Sequence, residues 1–154
     1  MELRTAQIRM TYTDTVRTNI KKINGSASGA TIARKAIGDA MNDREILGAI
    51  ALNSGLEPLF ILPCSVGGTD RAIMDLRLLL RDLLVGGASS FIIFHNHPSG
   101  EISPSGADRN ITDSIQKGAA AVGIRLLDHV IVTTEAYFSF SDAGMITRQI
   151  QIND

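Results

Sequence analysis

The chain has 154 residues, 44% hydrophobic and 20% charged, with Lys+Arg at 15 against Asp+Glu at 16 and a formal net charge of -1. Those proportions describe one globular domain, argue against disorder, and leave no excess of cations for sequence-independent nucleic-acid binding. A single cysteine, Cys64, excludes an internal disulfide framework and a multi-cysteine zinc site; no apolar run reaches the roughly 18 residues of a membrane span, and the opening Met-Glu-Leu-Arg-Thr lacks signal-peptide features, so a cytoplasmic protein with no membrane partner is expected.

Residues 1–22 read as an N-terminal arm, in which Ala6 to Tyr12 alternates enough to be either an edge strand or a flexible arm. From Ser28 to Met41 the residues Ile32, Ala33, Ala36, Ile37, Ala40 and Met41 recur at helical spacing. Glu45 to Leu52 reads as a strand, turned by Asn53-Ser54-Gly55 into a hairpin with Leu59–Leu62. Thr69 to Val85 predicts a helix, capped by Thr69, striped by Ile73, Leu76, Leu80 and Leu83, and stopped at Gly86-Gly87. Phe91–Phe94 is wholly apolar, as a strand buried on both faces requires. Ser105 to Val122 predicts a second long helix, followed by strands at Arg125–Val132 and Tyr137–Phe140. Strands alternating with helices predict an α/β fold with a mixed sheet sandwiched between helices.

All three histidines lie between residues 95 and 129. His95 and His97 directly follow the buried strand, and at i and i+2 in extended backbone both imidazoles point the same way. A strand end in an α/β sheet is the usual place for a site. Alone, the pair is equally well a structural one. The next helix adds Ser105-Gly-Ala-Asp108, which reads first as a capping box. Asp108, however, falls on the apolar stripe of Ile111, Ile115, Ala119 and Val122, where an ionised carboxylate is costly unless paired or bound to metal. Two nitrogens and one oxygen make three protein ligands, the count of a catalytic zinc with an open fourth position. A zinc-bound water needs a base, and Glu45, at the head of an otherwise apolar strand, is the candidate; Asp43 reads equally as a surface acid. Cys64 reads as a packed thiol rather than a nucleophile. Ser99 reads first as a turn residue and second as a substrate contact.

Glu45, His95-Asn96-His97, seven intervening residues, Ser105, two residues and Asp108 resemble the JAMM (MPN+) metalloprotease pattern. The strings His95-Asn-His-Pro-Ser-Gly100 and Leu126-Leu-Asp-His-Val-Ile-Val132 resemble its RadC branch. The likeness runs over 23–142 and leaves the arm and a tail, 143–154, outside it. It implies the JAB/MPN fold, related to the cytidine deaminases. It implies one zinc ion per chain on His95, His97 and Asp108, Glu45 as general acid/base, Ser105 as donor to the oxyanion, and a place near the site for Asp128 or His129. The implied activity is a zinc-dependent hydrolase that cleaves a peptide or isopeptide bond. A DNA-repair-associated nuclease, as the RadC name suggests, and a non-catalytic metal-binding interaction module are the alternatives.

A peptide or protein substrate is expected over nucleic acid, and a homodimer is compatible with the sequence. Full-length RadC proteins resemble the chain only in their C-terminal part; the helix-hairpin-helix segment before it is expected to be absent at this length. Consecutive His-Asn-His does not fit the dispersed HNH-nuclease motif, and Pro63-Cys64 has no second Cys for a nucleobase deaminase.

Overall fold

The structure, a computed structural model, describes residues 3–66 and 74–147. Five strands, β1 (Ile46–Leu52), β2 (Pro58–Val66), β3 (Ser90–Asn96), β4 (Arg125–Val132) and β5 (Tyr137–Ser139), form one sheet in the order β2-β1-β3-β4-β5. β3 and β4 are parallel, joined by the helix α3 (Gly106–Ala121), and the other neighbours are antiparallel. The helix α1 (Ser26–Ile37) covers one face; α2 (Leu76–Val85) and α3 cover the other.

Strand periodicity explains both layers. Leu47, Ala49, Ala51, Phe91 and Ile93 pack beneath Leu79 and Leu83 of α2 and Ile115 and Ala119 of α3. The alternate residues Ile50, Leu52, Ile92, Phe94, Val130 and Val132 pack beneath Ala30, Ile32, Ala33 and Ile37 of α1. With both faces covered, β3 cannot alternate polar and apolar, hence its continuous apolar run. Phe91 and Phe94 are fully buried, each contributing ~1.5–3 kcal/mol against exposure. Phe94 fits because β1 carries Gly48 beside it: a Cβ there would stand 2.4 Å from Phe94 Cζ and 2.9 Å from the Leu62 carbonyl oxygen.

The structure departs from the sequence expectations at element ends. α1 starts at Ser26 and stops at Ile37, where Gly38 takes φ +57° and passes the chain into a 3-10 turn, Gly38–Asn42, that carries Met41. Glu45 precedes β1 instead of opening it, and β2 extends beyond Leu59–Leu62. The expected cap Thr69 and stripe residue Ile73 lie outside the described residues; α2 starts at Leu76, with the Asp75 carboxylate accepting from the Arg77 and Leu78 N–H groups as its N-cap. The stripe on α3 ends at Ala119, since Val122 caps the helix and is 43% exposed. The described part of the arm, 3–22, forms neither strand nor helix, and Tyr12 packs edge-on against Phe60 of β2 with ring centroids 6.4 Å apart. Among the described residues no helix is long and apolar enough to cross a membrane.

One irregularity in the sheet bears on function. Phe91 pairs with Leu126, but Ile92 pairs with Asp128, so β4 carries one extra residue, Leu127, against β3. A one-residue bulge exchanges the faces of everything beyond it. His129 therefore stands beside Ile93, on the face of His95 and α3, and Asp128 beside Ile92, on the face of α1.

Candidate metal centre

His95 shares its strand face with Phe91 and Ile93, so it points toward α3 where the sheet ends, 1% exposed. Asn96 points the opposite way. Its amide nitrogen donates to the carbonyls of Met41 (2.8 Å) and Arg44 (2.9 Å), and its oxygen accepts from the Ile46 N–H (2.7 Å). One buried side chain thus pins the segment that delivers Glu45. His97 lies just past β3. Its Nδ1 donates to the Glu101 carbonyl at 2.6 Å, across a turn closed by Gly100 N–H to the His97 carbonyl (3.0 Å) with Gly100 at φ +83°. A carbonyl only accepts, so Nδ1 carries the hydrogen and, in the neutral ring, Nε2 keeps its lone pair.

Asp108 comes from the first turn of α3. The Ser105 hydroxyl oxygen accepts from the Asp108 N–H at 3.1 Å, and Asp108 Oδ2 accepts from the Ser105 N–H at 2.7 Å. The capping box is therefore real, and it aims the carboxylate at the histidines. His95 Nε2 lies 2.9 Å from His97 Nε2 and 3.4 Å from Asp108 Oδ1, and His97 Nε2 lies 3.6 Å from Asp108 Oδ2. A tetrahedral ion with bonds of ~2.0–2.2 Å places its donor atoms roughly 3.3–3.6 Å apart, so the three residues fit such an ion with small adjustment of the two rings. They form a group of three metal-competent side chains whose donor atoms all lie within 4.8 Å of one another.

Electrostatics agree with a cation site. Burial alone pushes the Asp108 carboxyl up, but the bonds that the His95 and His97 rings can give it when they carry a proton there, together with the Ser105 N–H, outweigh it and hold it well below the usual carboxylate range. The bond to Asp108 likewise raises His97, against burial. The same atoms that attract a proton attract a metal ion, which competes for them.

The cleft over these residues has a volume of ≈ 520 Å³, within the range of small-ligand sites, and its lining includes Glu45, Leu47, Ser105, Ile111 and His129. The β1–β3 register accounts for Glu45: Leu47 faces His95, so two residues earlier Glu45 comes abreast of His97. Asp43 is exposed and paired with Arg44, a surface acid. Ser99 is an exposed turn residue whose hydroxyl accepts from the Glu101 N–H (3.4 Å), outside the cleft lining. Cys64 is a packed thiol, pushed up to about 12 by burial and by nearby Asp82, which disfavours the thiolate.

Of the Asp128–His129 pair, the structure brings His129 to the site. Its Nε2 meets His95 Nδ1 at 2.8 Å, its Nδ1 meets Thr112 Oγ1 at 2.6 Å, and its ring stacks on Phe140 at 4.7 Å between centroids. Burial and the neighbouring His95 hold its pKa well below the ordinary histidine value, so the ring is neutral. Asp128 accepts instead from the Ser139 hydroxyl (2.7 Å) and from the N–H groups of Ser141 (2.9 Å) and His129 (2.7 Å), tying the chain after β5 to β4. Sequence reasoning missed Asn96, Thr112 and Phe140. Thr112 was findable, one helical turn after Asp108 on the buried stripe; the other two emerge only from strand pairing.

A protein-family model, the RadC-like JAB domain, matches residues 23–145. The chain is 36% identical over 126 residues to a UPF0758 protein of Flavobacterium johnsoniae, covering 82% of this chain and 54% of that protein. It is 38% identical over 102 residues to a UPF0758 protein of Thermotoga maritima (66% and 46% covered) and 34% identical over 124 residues to one of Porphyromonas gingivalis (79% and 55%). The chain spans about half the length of these curated relatives. With a mixed sheet between helices and a His-His-Asp group at the strand end, the chain belongs to the RadC-like JAB domain family.

Proposed function

We propose that this domain is a zinc-dependent hydrolase that cleaves a peptide or isopeptide bond with an activated water. The observation that carries the reading is the convergence of His95 Nε2, His97 Nε2 and the Asp108 carboxylate in a cleft that also holds one further acid, Glu45, and one hydroxyl, Ser105. Zinc bound by three protein donors polarises a carbonyl and lowers the pKa of its water to ~7. Glu45 is then the group that takes a proton from the attacking water and passes it to the leaving amine. The Ser105 oxygen accepts from the Asp108 N–H, and a hydroxyl has a single hydrogen still to give. That hydrogen serves the carbonyl oxygen as it gains charge, so capping and catalysis use different parts of one hydroxyl.

An amide suits this set better than a phosphodiester. In-line phosphodiester cleavage often uses two metals ~3.5–4 Å apart. Among the described residues there is one metal-competent group, and the cleft lining contains no Lys or Arg to receive a polyanion. The test is to offer zinc-loaded protein a peptide library, isopeptide-linked peptides, and single-stranded, duplex and branched DNA, with Glu45→Gln as control. Amide cleavage that depends on Glu45 is the expected result. DNA cleavage that tracks the zinc site, with no peptide turned over, would replace this reading with a nuclease; zinc binding with no turnover of any substrate would make the domain an interaction module.

A further inference from the structure

We propose that Thr112 and His129 are positioning residues that fix the tautomer of His95, so that its Nε2 presents a lone pair to the metal. The inference rests on the metal-site reading above, and it follows from hydrogen-bond direction once the His129 ring, 1% exposed and with no carboxylate among its hydrogen-bond partners, is taken as uncharged. Thr112 Oγ1 lies 2.6 Å from the backbone carbonyl of Asp108, one turn earlier on α3. A carbonyl can only accept, so the single hydroxyl hydrogen of Thr112 is spent there. Toward His129 Nδ1, also at 2.6 Å, Thr112 Oγ1 is then an acceptor, and Nδ1 carries the hydrogen. A neutral imidazole has one N–H, so His129 Nε2 is an acceptor. The donor it meets at 2.8 Å is therefore His95 Nδ1, and His95 Nε2 is left with its lone pair, facing His97 and Asp108.

The chain of bonds starts at the backbone of one metal ligand and ends on the ring of another. Every member is enclosed: Thr112 is 2% exposed, His129 1% and His95 1%. No water is needed to complete it, and Phe140, stacked on the His129 ring at an interplanar angle of 11°, keeps that ring from turning. His97 reaches the same end by a shorter route, through the Glu101 carbonyl. Metal-ligating histidines generally donate their other N–H to a carboxylate, a carbonyl or water, and losing that partner costs ~10–100-fold in metal affinity or activity. Here the partner is a second histidine, itself oriented by a helix hydroxyl. The bulge at Leu127 is what makes this available, because it turns His129 rather than Asp128 to this face.

The experiment reads ring nitrogens and zinc affinity, neither of which needs turnover. Long-range ¹H–¹⁵N NMR of the metal-free and zinc-loaded protein should show His129 protonated on Nδ1, the less common tautomer in water. Thr112→Val keeps the shape and removes the hydroxyl; it should release the His129 tautomer and weaken zinc binding ~10–100-fold. Thr112→Ser, which retains the hydroxyl, should bind zinc as the wild type does. His129 protonated on Nε2 in the wild type overturns the proposal, and that readout stands even if Thr112→Val fails to fold. Equal loss of affinity in Thr112→Val and Thr112→Ser also overturns it, since packing and not the hydroxyl would then be at work. A protein with the expected tautomers and affinities that cleaves no amide upholds this relay and refutes only the hydrolase reading.

Discussion

Removing the Ser105 hydroxyl separates the helix cap that the structure shows from the oxyanion contact that the proposed function adds. Ser105 Oγ accepts from the Asp108 N–H at 3.1 Å; the reciprocal bond, Ser105 N–H to Asp108 Oδ2 at 2.7 Å, uses backbone on the Ser105 side and survives Ser105→Ala. The variant loses one of two capping bonds, ~1 kcal/mol of stability. For a domain of this size that lowers Tm by roughly 2–4 °C. Asp108 keeps its backbone tether, so zinc content should stay at the wild-type level. If the hydroxyl hydrogen also serves the oxyanion, kcat falls ~10²–10³-fold, about 2.7–4 kcal/mol of activation free energy, with KM little changed. A loss of ~1 kcal/mol cannot imitate that in a domain of ordinary stability, which stays almost wholly folded. Thermal melts, zinc analysis and steady-state kinetics on one preparation distinguish the two effects, and Ser105→Thr should restore both. A normal kcat in a variant with lowered Tm refutes the oxyanion role and leaves a plain helix cap. Loss of zinc refutes the argument that the backbone bond holds the ligand in place.

His97→Ala combined with Asp108→Ala should reduce zinc from about one per chain to none by elemental analysis; full zinc in that variant would break the site assignment, and iron as the metal in wild-type protein would overturn zinc as the ion while leaving the residues in place. Glu45→Gln should keep zinc and lose ~10²–10⁴ in rate, as a proton carrier and not a ligand; loss of the metal would show the opposite. Asp128 gives a pH signature: burial raises its folded pKa above the unfolded value, with Asp142 adding to the shift, against hydrogen bonds from Ser139, Ser141 and His129. The folded state therefore holds this proton more tightly, and the group's contribution to stability falls as pH rises from the unfolded to the folded pKa. In urea titrations the stability of wild type relative to Asp128→Asn should decline as pH rises through the carboxylate range; an increase would contradict it.

The parts of this molecule legible in the sequence were those fixed by local periodicity. β1, β3, α3 and β4 could be read from apolar spacing, and the His95, His97 and Asp108 group from a strand end followed by an acid on a buried helical stripe. What escaped depends on pairing between distant segments. Gly38 ends α1 early, through a left-handed turn that the apolar pattern of Ala40 and Met41 conceals. Asn96 looks like a spacer between two histidines, yet it makes three hydrogen bonds to the distant segment that carries Glu45. Strand alternation predicts correctly that Asp128 and His129 point to opposite faces. It cannot say which face each takes, because that depends on one extra residue in β4.

That extra residue ties the fold to the chemistry. If β4 paired evenly from Leu126 onward, Asp128 would stand beside Ile93 and next to His95, and His129 would turn into the apolar layer beneath α1. A second carboxylate would then share a closed space with Asp108, where like charges raise each other's pKa and one is driven to protonate. A neutral imidazole can accept from His95 Nδ1 and add no charge to the site. On the other face, Asp128 is surrounded by donors, the Ser139 hydroxyl and the Ser141 and His129 N–H groups, and binds β4 to the segment that brings in Phe140. The stacking partner of His129 is thus held in place by its own sequence neighbour. A single bulge puts each of the two polar residues where its chemistry is satisfied, and the His-His-Asp group inherits its orientation from backbone that the core already fixes.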